Sequence, residues 1–158
     1  MARSRSTLGK LRTLSRVGLR QQALVAEAIA AMLRARIVVL LRPFPKVSKR
    51  FGEFVPPSDP RVTAHGVGAT PEQAQIARDV GWAVAAAAPF MPFRSVCLQQ
   101  AMAAHAMLRR RGIPCVMHFG AGKGDEKPID AHAWLDAAGV KVTGYPVSPG
   151  MAELGCFV

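Results

Sequence analysis

No C-x-x-C pair occurs in this chain, and its three cysteines, Cys97, Cys115 and Cys156, are too few for a disulfide framework. The odd count and the lack of a secretory signal point to a reducing, cytoplasmic setting. Without paired cysteine spacing, a structural zinc site is not expected, and the sequence calls for no cofactor. The positively charged start is not followed by an unbroken apolar stretch and cleavage site. The most apolar early segment, Gln22 to Leu41, is interrupted by Glu27, Arg34 and Arg36, which argues against a membrane span. Acidic residues are also scarce early on. Residues 1–52 hold only Glu27 against twelve lysines and arginines, while the remainder is balanced at nine and nine. Aromatics are sparse there too, with Phe44 alone before Phe51. A basic segment without interleaved stacking residues, in a chain with no recognisable nucleic-acid-binding motif, makes nucleic acid an unexpected partner. The early positive charge is then either a solvated face or a docking surface. An acidic protein is the first candidate for docking and an anionic membrane surface the weaker one.

Half of the 158 residues are hydrophobic, enough for one compact core. No internal repeat is visible. A stretch from Pro43 to Val67 contains Pro43, Pro45, Pro56, Pro57 and Pro60, a density that prevents regular helix. We read residues 1–52 as a basic helical extension, 53–69 as a Pro/Gly-rich linker and 70–158 as the main domain. In the extension, Ser6–Arg20 and Gln22–Leu41 read as helices, the second with Leu24, Ala28, Ala31 and Ala35 in one apolar line. Thr70-Pro71-Glu72-Gln73 has the form of a capping box with proline at the first helical position, predicting a helix from Pro71 to about Ala88. A further helix is expected from a cap at Ser95 to Arg111-Gly112, with glycine suited to the left-handed closing position and Pro114 forbidding continuation. Then the pattern changes. Cys115–Phe119, Ala131–Leu135 and Val140–Thr143 read as strands, with a polar loop over Gly120–Lys127 and a turn at Asp136–Gly139. Helices followed by a small antiparallel sheet make an α+β fold.

Cys97 falls at the start of its helix. The first turn carries free N–H groups and partial positive charge, which favour the thiolate, the nucleophilic form. The backbone N–H groups of Cys97 and Leu98 could also receive an oxyanion. Against this, an unpaired cysteine is among the most buried residue types and commonly just packs. A thiol nucleophile needs a base. His65 lies in the proline-rich stretch. His105 is on the same helix, about 12 Å further along its axis, and reads as a core residue. His118 is mid-strand. His132 starts a strand beside a polar loop. Position favours His132 only modestly over His118.

Three runs then combine: Phe93-Arg94-Ser95-Val96-Cys97-Leu98, Leu108-Arg109-Arg110-Arg111-Gly112-Ile113-Pro114, and Ala131-His132-Ala133-Trp134-Leu135. With the closing Leu154-Gly155-Cys156-Phe157 and the early Arg42-Pro43-Phe44, the chain resembles the standalone transglutaminase-like leader peptidases of lasso-peptide biosynthesis. The likeness covers roughly residues 70–158. It implies a papain/transglutaminase-type core, with the cysteine helix packed on an antiparallel sheet that carries the histidine. It further implies removal of a leader from a ribosomally made precursor peptide through an acyl-enzyme on Cys97, with His132 as base. The implied partners are that precursor, a small leader-recognition protein and an ATP-dependent macrolactam synthetase. The family usually has an Asp about twelve residues after the histidine, where this chain has Gly144. Thr143, a backbone carbonyl or an acid from elsewhere could orient the imidazole in its place, or the site could work as a dyad. Asp136 is the nearest acid in sequence, but about 13 Å along the same strand, and it suits a turn. Two other functions share the fold: acyl transfer to an amine, and a non-catalytic peptide-binding module.

Overall fold

The computed structural model describes residues 18–93, 96–123 and 128–158. The expected helix over 6–20 lies almost wholly outside them, as does Ser95. The first described helix, α1 (Leu19–Leu41), buries Leu24, Val25, Ala28, Met32 and Ala35 at three- and four-residue spacing. It stops where Arg42 turns extended ahead of Pro43. A short helix, α2 (Phe44–Ser48), and the buried Phe51 continue the same apolar surface. Leu24, Val25, Ala28, Met32, Ala35, Val47 and Phe51 join the core that residues 77–157 build. The segment read as an extension thus packs into the core of the main domain.

The proline-rich stretch contains an edge strand, β1 (Phe54–Val55), and one turn of helix, α3 (Pro60–Thr63). Prolines are tolerated beside such an edge, where one side of the backbone has no ladder partner. Asp59 caps α3 by accepting from the Arg61 N–H at 2.8 Å. Helix α4 (Pro71–Ala87) opens on the capping box foreseen in the sequence: Gln73 N–H donates to Thr70 Oγ1 at 3.2 Å, and Thr70 N–H to Gln73 Oε1 at 3.0 Å. Its buried line is Ala77, Val80, Ala83, Val84 and Ala87, and Trp82 is exposed at its edge. Helix α5 (Cys97–Arg110) starts one residue later than expected. Its N-cap is Val96, which has no capping side chain, so Cys97 is the first helical residue rather than the second. Gly112 closes α5 at φ +67°, a conformation that costs glycine little.

Four more strands follow: β2 (Cys115–Gly122), β3 (Asp130–Ala137), β4 (Val140–Thr143) and β5 (Ala152–Phe157). The sheet is antiparallel throughout, in the order β1-β5-β2-β3-β4. Five strands replace the three expected, because β1 and β5 carry no clear alternation. The β3–β4 hairpin turns on two residues, Ala138 at φ +50° and Gly139 at φ +72°, between the paired Ala137 and Val140. Asp136 therefore belongs to the strand, not to the turn.

Alternation then sorts β3. Ala133, Leu135 and Ala137 enter the core together with Met117 and Phe157, on the side covered by α4 and α5. His132, Trp134 and Asp136 take the opposite face with His118 and Cys156. That second face is partly covered by residues 55–65, where Val55 and Val62 pack on Val116 and Cys156.

Candidate active site

Cys97 stands at the head of α5, half-buried, and packs against the core cluster. With no side-chain cap at Val96, the first-turn N–H groups of Cys97 and Leu98 are not taken up by one. Gln99, in the same turn, is buried, and its Oε1 has no hydrogen-bond partner among the described residues. Because α5 leads into β2 through the turn at Gly112, its N-terminus lies toward the end of the sheet where β2 finishes and β3 starts. His132 is at that end too, alternating along β3 with the core-facing Ala133.

His132 Nε2 donates to the Gly144 carbonyl at 2.6 Å. That bond places a proton on Nε2, and Nδ1 has no hydrogen-bond partner among the described residues. The ring also stacks on Trp134, at 5.9 Å between centroids. No hydrogen bond joins Cys97 to His132 among the described residues. β4 pairs only with Leu135–Ala137, so residues 130–134 have no β4 partner and His132 sits on a free edge.

Neither side chain considered for orienting His132 does so. A bulge in the β3–β4 ladder brings Thr143 opposite Leu135, on the core side. Its hydroxyl is buried there without a partner among the described residues. Asp136 is occupied elsewhere. It accepts from the Tyr145 hydroxyl at 2.7 Å and faces His118 Nε2 at 3.2 Å and His65 Nε2 at 3.6 Å. The orienting contact is instead a backbone carbonyl, at the position where the resembled family carries Asp. That position could not hold a carboxylate in this backbone. Gly144 is at φ +82°, and a Cβ there would lie 2.5 Å from the Ala133 carbonyl and 2.7 Å from Trp134 Cβ.

A second cluster gathers around His118, which is stacked flat on Trp134 at 5.4 Å. Its Nδ1 lies 2.5 Å from Glu153 Oε1 and 3.4 Å from Cys156 Sγ, and the thiol donates to the same carboxylate oxygen at 2.9 Å. Burial opposes charge on His118, but Asp136 and Glu153 outweigh it and raise its pKa. Burial acts against Asp136 too, yet His118 and Tyr145 keep its carboxyl below the ordinary range. Asp136 Oδ2 is near Nε2 but off the N–H direction, so that nitrogen has close contact without an aligned hydrogen bond. The arrangement has the connectivity of a Cys–His–Asp triad. It lacks the reactivity, because Cys156 is fully buried and burial and Glu153 both drive its thiol pKa upward. Sequence reasoning passed over this cluster because its members come from three strands.

The other candidates behave as packing residues. Burial pushes the Cys115 thiol up to about 12. Burial, with Arg109 adding, brings His105 down to about 4, so it is neutral in the core at pH 7. A cavity of about 320 Å³ between α1 and the C-terminal half of α5, lined by Arg34, Phe51, Met102, His105 and Arg109, includes neither Cys97 nor His132. No helix among the described residues is long and apolar enough to cross a membrane.

A family model described as the transglutaminase-like superfamily matches residues 38–152. The matched stretch runs from within α1 to the first residue of β5 and takes in both Cys97 and His132. No curated protein and no solved structure matches the chain.

Proposed function

Because this chain belongs to the transglutaminase-like superfamily, with its papain-like α+β core, we propose that it is a cysteine peptidase acting through an acyl-enzyme on Cys97. The observation that carries this reading is the position of Cys97 as the first residue of α5. There the thiol lies beside the first-turn N–H groups, which could receive an oxyanion, and the Val96 side chain caps none of them. In this reading His132 Nδ1 takes the thiol proton after the ring turns about the free edge of β3. The Gly144 carbonyl holds the tautomer before that, as the family's Asp would, but without a full charge to stabilise the imidazolium. Hydrolysis of a lasso-peptide leader is the finer form of the proposal. Its substrate would be a ribosomally made precursor delivered by a small leader-recognition protein, with a macrolactam synthetase consuming the product.

One observation favours a second reading. His132 is engaged with the Gly144 carbonyl, and glycine stands where the resembled family carries the activating carboxylate. A non-catalytic peptide-binding module of the same fold accounts for both. A single experiment separates the two. The purified chain is incubated with a precursor peptide, the leader-recognition protein and the synthetase, and the products are weighed. The peptidase reading expects the leader and the modified core as separate masses, and loss of at least about 10³-fold in rate for Cys97→Ala. Adding a primary amine tests acyl transfer, which would append the amine's mass to the new carboxyl end. Intact precursor in every arm, with ordinary binding by Cys97→Ala, would overturn the peptidase reading in favour of the module.

A further inference from the structure

On the far face of the sheet, three donors of different kinds converge: His118 Nδ1, a Glu153 carboxylate oxygen and Cys156 Sγ, all within 4.8 Å of one another. We infer that they form a binding site for a divalent transition-metal ion of the zinc class, independent of Cys97. The donor set is the first reason. Imidazole, thiolate and carboxylate are the ligands such an ion takes, at about 2.0–2.3 Å. Donors at those distances stand about 3.3–3.6 Å apart around a tetrahedral ion. The spacings here are 2.5, 2.9 and 3.4 Å, so the cluster would have to open by no more than about 1 Å.

The second reason is how the backbone delivers them. His118 and Cys156 are direct cross-strand partners and share a face. Glu153 is three residues from Cys156, so a regular strand would send it to the opposite face. The β2–β5 ladder shifts register between Phe119 and Gly120, which leaves Leu154 without a partner and puts Glu153 opposite Gly120. The bulge thereby returns Glu153 to the face of Cys156. Re-aiming a side chain is what bulges do beside functional sites.

The third reason is the outer support. A metal-bound histidine typically presents its second nitrogen to a carboxylate that fixes the ring. Here Asp136 Oδ2 faces His118 Nε2 and is itself held by the Tyr145 hydroxyl, and Trp134 stacks on the ring. His118 and Cys156 are buried, while the Glu153 side chain retains 31% exposure, leaving a route for an ion. The charge also balances. One dication would replace the protons on Nδ1 and Sγ, both of which go to solvent, with no change in the net charge of the cluster. Glu153 and Cys156 lie beyond the stretch matched by the family model, so the site is argued from this chain alone.

The test is titration of the full-length, untagged, reduced chain with cobalt(II), followed by competition with zinc(II). We expect one equivalent bound, with a thiolate-to-cobalt charge-transfer band and the intense visible bands of four-coordinate cobalt. Cys97→Ser should keep the band and Cys156→Ser should abolish it. Should Cys156→Ser fail to fold, Glu153→Gln at the surface serves instead; it should weaken cobalt binding about tenfold or more. Absence of a thiolate band in the parent protein would overturn the proposal. So would a band indifferent to Glu153→Gln, or one lost with Cys97→Ser.

Discussion

Beneath α4 and α5 the sheet presents Met117, Ala133, Leu135, Ala137 and Phe157, an apolar surface whose polar exception is the Thr143 hydroxyl. Its reverse presents His118, His132, Trp134 and Asp136, every one engaged by a ring or a polar atom. Both surfaces come from one run, Asp130-Ala131-His132-Ala133-Trp134-Leu135-Asp136-Ala137, whose alternate residues go to opposite sides. Small alanines on the helix side let α5 approach closely, and the chemistry is left on the far side. No hydrogen bond joins the candidate nucleophile to its candidate base among the described residues, whereas His118, Asp136, Glu153 and Cys156 are in contact on the reverse face.

If the apolar face carries the stability, Leu135→Ala should be the most costly change. Leu135 is fully buried, and such truncations cost about 2–5 kcal/mol, read as a lower urea midpoint with an unchanged slope. A loss below about 1 kcal/mol would break the contrast between the faces. Next comes Gly144→Asp, which restores the family's carboxylate in name. The positive φ and the 2.5 Å approach to the Ala133 carbonyl predict a loss of about 2 kcal/mol and no gain in cleavage rate. Faster cleavage by this variant would show that the backbone at 144 rearranges to accept an acid.

Glu27 tests how firmly α1 belongs to the apolar side. Its carboxylate receives Arg111 at 2.6 and 3.0 Å and Arg110 at 2.5 Å. The Arg111 hydrogen bond, against burial and with help from Arg110, lowers the Glu27 pKa below 4.5. A depressed folded pKa contributes stability above the unfolded value and loses it as pH falls through the folded one. Glu27→Gln should therefore cost about 1–2 kcal/mol at pH 7, the partly exposed arginines limiting the effect. The gap between parent and variant should close as pH falls below 4.5. A gap independent of pH would mean that the loss is packing rather than charge. The smallest effect belongs to Thr143→Val. Its hydroxyl is buried without a partner, so a methyl of the same shape should be neutral or stabilising by up to about 1 kcal/mol. Cleavage should be unaffected as well; a strong loss would return Thr143 to the neighbourhood of His132.

Much of the helical half was legible in the residues. The capping box at Thr70 and Gln73, the glycine closing α5 and the apolar line on α1 are local signals, and local hydrogen bonds realise them. The β half was harder to read. β5 hides its alternation because the bulge at Leu154 breaks the period of two. β1 is two residues among prolines. The hairpin turn places Ala138 at positive φ, where Asn or Asp would have announced the turn and its register. A turn two residues shorter than the expected Asp136–Gly139, together with the one-residue bulge at Leu135/Asp136, is what separates Thr143 opposite His132 from Thr143 opposite Leu135. The cluster around His118 depends on that register twice, through the hairpin and through the bulge, so no spacing along the chain could reveal it.

The position of β5 carries a consequence for the order of assembly. It is an interior strand, flanked by β1 on one side and β2 on the other, and Gly52 lets the backbone pass so close to Val158 that any Cβ would collide with its carbonyl. During synthesis, α1, α4, α5 and the β2–β4 meander can form as the ribosome releases them. The sheet stays split, with β1 unattached, until residues 152–157 emerge and slot between strands made some sixty residues apart. The β1–β5 pairing joins Phe54 to Phe157 across most of the described chain, so docking of β5 should be a late and slow step in folding.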